Sequence, residues 1–150
     1  MKTYRRILVP VSNDGQGDIL LQRAAELAQA QTTQMLVVRV LDTRSGFEPD
    51  GPAAALPGEA AARRAPAAMK RLDLQLTRNQ LAWAEAKVLW GEPKIVLAEL
   101  IRHWQPDLVV ACTGTLPQGI AEDADILSVG CHRLFRRLTE AFHHPAPRHA

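Results

Sequence analysis

The chain has 150 residues, of which 47% are hydrophobic and 23% are charged, and its formal net charge is +2. This length and composition are those of one folded domain with a buried core, which we expect to span residues 1–150. The small net charge gives no argument for a nucleic-acid partner. No apolar run reaches the roughly 20 residues that cross a bilayer. The apolar run after the basic N-terminus is too short for a signal peptide. We therefore expect a cytoplasmic protein that binds neither membranes nor nucleic acids.

The first half of the chain alternates strand and helix patterns. Residues 7–11 form a continuous apolar run, which is typical of a strand covered on both faces. A turn rich in glycine and polar residues follows, and then a helix in which apolar residues recur at helical spacing from Leu20 to Ala28. Residues 35–41 are a second buried strand. Residues 42–66 are crowded with Ala, Pro and Gly, and we expect them to form a long loop. An early turn of helix formed by its alanines is the alternative.

The second half continues the alternation. Helical spacing resumes after residue 66, and residues 84–90 alternate charged with apolar side chains, as in a half-exposed edge strand. Pro93 begins the clearest amphipathic helix, which ends at Trp104. Residues 107–112 and 125–130 are further strands, 133–142 a basic amphipathic helix, and 143–150 a flexible tail. This order predicts an α/β domain with a parallel sheet.

The cysteines and the C-terminal histidines are the side chains with the clearest potential for chemistry. Cys112 and Cys131 are too few for a disulfide framework, so we expect buried free thiols. The C-terminal histidines (His132, His143, His144 and His149) are interpreted as part of a solvated tail, and no metal site is predicted. No local sequence supplies a nucleophile with a base and an oxyanion hole, so we predict that the protein is not an enzyme.

Two stretches together resemble the universal stress protein family. The first is the opening strand with the helix that follows it, Tyr-Arg-Arg-Ile-Leu-Val-Pro-Val-Ser at 4–12 and Ala-Ala-Glu-Leu-Ala at 24–28. The second is Gly-Glu-Pro at 91–93, the helix to Trp104, and Gln-Pro-Asp-Leu-Val-Val at 105–110. Their order and spacing match the family over roughly residues 4 to 112 of the sequence.

The resemblance implies a three-layer α/β sandwich around an open, mostly parallel five-stranded sheet, of the adenine nucleotide alpha hydrolase-like or Rossmann-like type. It also implies assembly as a homodimer. Family members that bind ATP have an Asp at the end of the first strand. After the fourth strand they have a loop of the form Gly, two residues, Gly, nine residues, Gly, then Ser or Thr, whose amides hold the phosphates.

This sequence departs from that ATP-binding pattern. Ser12 stands at the Asp position, and the glycines of the following loop, Gly114 and Gly119, have four residues between them. If residues 129–133 are instead the loop, Arg133 replaces its second glycine. Residues 143–150 are no strand, so 125–129 either replace the family's final strand or the terminus is built differently. We therefore expect that ATP binding has been lost and that no cofactor is held.

One location remains the place to look for a small ligand. The carboxyl ends of the first and fourth strands face one crevice at the point where open α/β sheets bind ligands. The candidate residues there are Pro10, Val11, Ser12, Asn13, Val40, Thr113, Gly114 and Thr115.

The sequence thus predicts a non-catalytic stress-response protein that acts by self-association or by binding a protein partner. The first alternative is a regulatory protein that binds ATP or AMP in an atypical pocket at the crevice. The second is a small hydrolase or nucleotidyl-transfer domain on the same scaffold, for which the sequence offers no catalytic motif.

Overall fold

The computed structural model describes residues 2–12, 16–29, 31–43, 57–119 and 124–130. These residues form alternating strands and helices, as the sequence pattern predicts. In chain order the elements are β1 (Arg6–Pro10), α1 (Gly17–Leu27), β2 (Gln34–Asp42), α2 (Pro57–Arg78), β3 (Glu85–Gly91), α3 (Pro93–Trp104), β4 (Leu108–Cys112) and β5 (Asp125–Val129). The helix predicted over 133–142 and the tail over 143–150 lie outside the described residues.

The described strands form one five-stranded sheet in the order β3-β2-β1-β4-β5. Each neighbouring pair is parallel, with Ile7 opposite both Met35 and Leu108. The chain moves outward from β1 to β3 and then returns to the other side of β1 for β4. Residues 125–129, predicted as a strand of uncertain place, pair in parallel with β4 and form the second edge of this sheet.

Apolar side chains cover both faces of the sheet, which gives the predicted three layers. Ile7 and Val9 point toward α1 and α2, where they join Leu72 and Leu76 in one cluster. Leu8, between them, points to the other face and packs with residues of α3 in a second cluster. Because successive strand residues alternate in direction, a strand covered on both faces has to be apolar throughout.

The long loop expected over residues 42–66 is contradicted at both ends. Asp42 belongs to β2, and α2 begins at Pro57, with Pro66 inside the helix. Alanine has the highest helix propensity and proline is tolerated at the first helical position, so the alanine-rich stretch extends the helix toward its N-terminus. Residues 44–56 lie outside the described residues.

Aspartates connect elements that are distant in sequence. The Asp107 carboxylate accepts hydrogen bonds from the amides of Arg5 and Arg6, both at 2.8 Å, and so attaches the start of β1 to the start of β4. The Asp18 carboxylate, in the first turn of α1, accepts from Gln75 Nε2 at 3.1 Å, Arg78 Nη2 at 2.9 Å and Asn79 Nδ2 at 2.9 Å. These contacts fix α1 against the end of α2.

Candidate functional site

The predicted crevice lies at the carboxyl ends of β1 and β4. The two strands are parallel neighbours, so Pro10 at the end of β1 and Thr113 just after β4 lie at the same edge of the sheet. The chain order reverses between these strands, which is the topological switch point at which open α/β sheets bind ligands. The structure therefore brings together the two loops that the sequence assigned to one site.

On the β1 side of the crevice, the described residues mostly pack in the core or bond within the sheet. Pro10 and Val11 are buried, and the Val11 amide donates to the Val38 carbonyl at 2.8 Å. Ser12 is the first exposed residue after the strand. Asn13, which was also predicted to line the crevice, lies outside the described residues. Of the described residues on this side, Pro10 has no amide hydrogen to donate and the Val11 amide is already bonded within the sheet.

The β4 side is a tight turn whose amides bond within the protein. The Thr113 amide donates to the Val129 carbonyl of β5 at 3.0 Å, and the Thr115 amide donates to the Cys112 carbonyl at 3.1 Å. Gly114 between them is exposed and has a φ of +88°, a conformation that favours glycine. A phosphate-binding loop needs several amides directed at one anion, and here the amides of Thr113 and Thr115 point elsewhere.

Val40 belongs to the other face of the same edge. It is half-buried and packs with the α3 cluster, as does Leu116 from the loop after β4. Its predicted proximity to the crevice is consistent with its place near the carboxyl end of β2, beside β1. Together Val40 and Leu116 form an apolar wall at the α3 side of this edge.

A second concave region lies at the opposite edge of the sheet. It encloses about 520 Å³ and is lined by the first residues of three strands and by two tryptophans: Arg6, Thr33, Gln34, Met35, Trp83, Glu85 and Trp104. The Arg6 guanidinium stands 5.6 Å from the centre of the Trp104 ring, and its Nη1 donates to the Trp104 carbonyl at 2.6 Å. This hollow is separate from the crevice, because it lies at the amino ends of the strands.

Cys112 corrects one prediction. It was expected to be a buried free thiol, but it is disulfide-bonded and only half-buried. As the last residue of β4 it lies at the rim of the core, where another sulfur can reach it. Cys131 lies outside the described residues.

Metal-binding clusters and membrane-spanning helices were sought in the described part of the chain. There, no three His, Cys, Asp or Glu side chains are close enough to hold a metal ion together. The four C-terminal histidines considered in the sequence analysis lie outside that part. Within the same ranges, none of the helices is long and apolar enough to cross a bilayer.

The comparison with protein families decides the relationship that the fold suggests. The model of the universal stress protein family matches residues 3–115, which cover all the elements from β1 to β4. The chain belongs to the universal stress protein family. The resemblance predicted from residues 4–112 is therefore confirmed. No curated protein matches the sequence.

Solved universal stress proteins share the fold at low sequence identity. A universal stress protein in complex with cAMP is 16% identical, with a TM-score of 0.57 over 87% of this chain and 99% of the other. UspA from Lactobacillus plantarum is 18% identical, with a TM-score of 0.57 over 86% and 99%. A family protein from Arabidopsis thaliana with AMP bound is 13% identical, with a TM-score of 0.51 over 83% and 90%. These likenesses confirm the α/β fold.

Arg39 is the residue that the sequence analysis of this universal stress protein missed. It is buried near the end of β2, although it is charged. The signal was present as a single charged side chain inside the apolar run of residues 35–41. The engagement of the Thr113 amide had no signal of this kind, because it depends on the pairing of β5 with β4.

Proposed function

We propose that this chain is a non-catalytic, cytoplasmic stress-response protein that holds no ATP and acts by self-association or by binding a protein partner. The observation that carries this proposal is the bonding of the Thr113 and Thr115 amides to carbonyls of the protein itself. A triphosphate at the crevice would have to break these bonds or be held without them.

The sequence of the loop supports the same conclusion. Gly114 and Gly119 are separated by four residues, where ATP-binding members have two between their first glycines. Ser12 replaces the aspartate of the first strand, so a carboxylate is missing as well. Each lost contact to a charged phosphate or ribose removes roughly 1.5–3 kcal/mol of binding free energy, and several losses together leave little affinity.

The direct test is to measure nucleotide binding to the purified protein. We expect isothermal titration with ATP, AMP and cAMP to give no saturable binding below a Kd of about 1 mM. Mass spectrometry of protein purified gently from cells should show the mass of the chain without an adenylate. Saturable ATP binding that Gly114→Val abolishes and Gly119→Val leaves intact would refute the proposal.

The same titrations examine the alternative regulatory protein. One solved relative is in complex with cAMP and another has AMP bound, so the monophosphates are titrated separately from ATP. Binding of AMP but not ATP would favour an atypical adenylate pocket. Hydrolysis of ATP, measured as phosphate release and lost in a crevice variant, would instead favour the small hydrolase.

Self-association is the second part of the proposal. β5 forms one edge of the described sheet, with an exposed Ile126 on it (47% exposed). Edge strands offer unpaired amides and carbonyls to a second chain, and an exposed β-branched side chain adds apolar area to such a contact. We therefore assign the homodimer interface to β5.

Light scattering after gel filtration at several protein concentrations tests this assignment. We expect a dimer that Ile126→Lys weakens at least tenfold in dissociation constant. Ile95→Lys is the matched control, because Ile95 has a similar exposure (54%) but lies on α3. A dimer that survives Ile126→Lys, or that Ile95→Lys disrupts instead, would contradict the assignment. The series is run with and without reductant, because the cytoplasm keeps most thiols reduced and Cys112 is disulfide-bonded.

A further inference from the structure

One charged residue is buried inside the apolar sheet. Arg39 is only 9% exposed, in the seven-residue overlap of β2 with β3, opposite Val88. Strand residues alternate between faces, so Arg39 shares its face with Val37 and Leu41. Val37 packs against the cluster of α1 and α2, and Leu41 packs with Ala68 of α2. The Arg39 side chain therefore lies between the sheet and α2.

Two further arginines of α2 lie on the same helix face. Arg64, Ala68 and Arg71 are spaced four and then three residues apart, and such positions share one face of a helix. Ala68 is buried against the sheet, so this face is directed toward β2. Burial lowers the pKa of Arg39, and the positive charges of Arg71 and Arg64 lower it further. Arg71 and Arg64 therefore each lie within electrostatic reach of Arg39.

The Arg39 guanidinium has no protein partner in the part of the chain that the structure describes. No hydrogen bond or ion pair to it occurs there, and no carboxylate acts on its pKa. An arginine carries five donors and keeps its charge under all ordinary conditions. A buried charge without a partner is among the costliest arrangements in a protein, so an anion is needed at this position.

We propose that Arg39, together with Arg71 and Arg64, binds the phosphoryl group of a small anion between β2 and α2. A phosphoryl group carries nearly two negative charges and three acceptor oxygens, which suit several converging guanidinium forks. Arg64 has other contacts, so Arg39 and Arg71 carry the site. The site lies on the opposite face of the sheet from Val40 and Leu116, and it does not depend on the proposed loss of ATP binding at the crevice.

Thermal unfolding in phosphate is the first test. The melting temperature is measured from 0 to 50 mM sodium phosphate, with sodium chloride added to keep the ionic strength constant. A site with a Kd on the order of 1 mM raises the melting temperature by roughly 5 °C or more at 50 mM phosphate. The same series with glycerol 3-phosphate shows whether the phosphoryl group is bound free or as an ester: the source with the larger shift per millimolar is the preferred one.

Variants assign the effect to the arginines. Arg39→Met keeps the apolar stem and removes the charge, so it should abolish the phosphate response and leave the melting temperature without phosphate equal to or above that of the wild type. Arg71→Met, on the exposed side of the site, should weaken the response at least threefold without endangering the fold. Arg102→Met is the matched control, because Arg102 is exposed on α3 and should respond as the wild type does.

Amide NMR places the anion. Phosphate should shift the resonances of Arg39 and its neighbour Val88 and leave Gly114 at the crevice unchanged. The proposal is overturned if Arg39→Met responds to phosphate as strongly as the wild type. It is equally overturned if this variant melts well below the wild type in phosphate-free buffer, because the guanidinium would then have a partner within the chain.

Discussion

Replacing Asp18 by alanine should destabilise the protein because three side chains of the α2 end would lose one shared acceptor. Gln75, Arg78 and Asn79 all donate to this carboxylate, which is 30% exposed. Arg78 is 64% exposed, so solvent screening limits the ion pair to under about 1 kcal/mol. The two amide donors are partly buried and add about 0.5–1 kcal/mol each. The expected loss is about 2 kcal/mol in the free energy of unfolding.

The pH dependence of this loss has a definite sign. Burial of Asp18 acts to raise its pKa, but the hydrogen bonds from Arg78, Asn79 and Gln75 outweigh burial and lower the pKa below the ordinary value of 3.8. A carboxyl with a lowered pKa in the folded state contributes stability above its ordinary pKa. That contribution disappears as the pH falls through the folded-state pKa. The difference between wild type and Asp18→Ala should therefore be complete at pH 7 and shrink below pH 3.8.

Thermal unfolding followed by circular dichroism at several pH values measures the difference. At pH 7 the variant should melt roughly 4–8 °C lower, which corresponds to about 2 kcal/mol in a chain of this size. Asp73→Ala is the matched control, because Asp73 is exposed on α2 and its carboxylate accepts no hydrogen bond within the described residues. The reasoning fails if Asp18→Ala is no less stable than Asp73→Ala, or if the gap to wild type widens in acid.

Two further predictions concern the core and the N-terminus. Leu36→Ala should lower the free energy of unfolding in urea by about 2–5 kcal/mol, because Leu36 is fully buried. Leu74→Ala, at a site that is 60% exposed, should stay within about 0.5 kcal/mol of the wild type. Equal losses in the two variants would contradict the packing described here. Hydrogen bonds from Lys2 and Tyr4 lower the pKa of Asp125. Lys2→Met should therefore raise that pKa toward 3.8, which a carbon-detected NMR titration measures. An unchanged Asp125 pKa would show that Lys2 does not act on it.

The strands were predictable because burial on both faces leaves a continuous apolar run. The parallel sheet contains the strands predicted at residues 7–11, 35–41 and 107–112. Each observed strand begins and ends within one residue of the predicted bounds. The start of α2 was not predictable in this way. Proline and glycine indicate a loop and alanine indicates a helix, and over residues 57–66 the two signals conflict.

The position of the crevice followed from strand order, but its chemistry did not. Two parallel neighbouring strands bring their carboxyl ends to one edge, so the proximity of Val11 and Thr113 could be expected from the pattern alone. Whether the Thr113 amide is available depends on the carbonyl of Val129, and therefore on the pairing of β5 with β4. A pairing between two short strands separated by twelve residues leaves no periodic pattern in the residues themselves. The disulfide at Cys112 was not predicted either, because it too depends on a spatial contact that the sequence pattern does not reveal.

The central place of β1 has a consequence for synthesis on the ribosome. β1 can pair with β2 as soon as residues 34–38 emerge, but its other edge waits for Leu108 and Val109. About 100 residues separate these partners, so at 5–20 residues per second the wait lasts roughly 5–20 s. During that interval Ile7 and Leu8 offer an open strand edge to other nascent chains. Chaperones that bind short apolar segments should therefore contact the first ten residues longer than they contact β2 or β4, the other strands with a neighbour on each side.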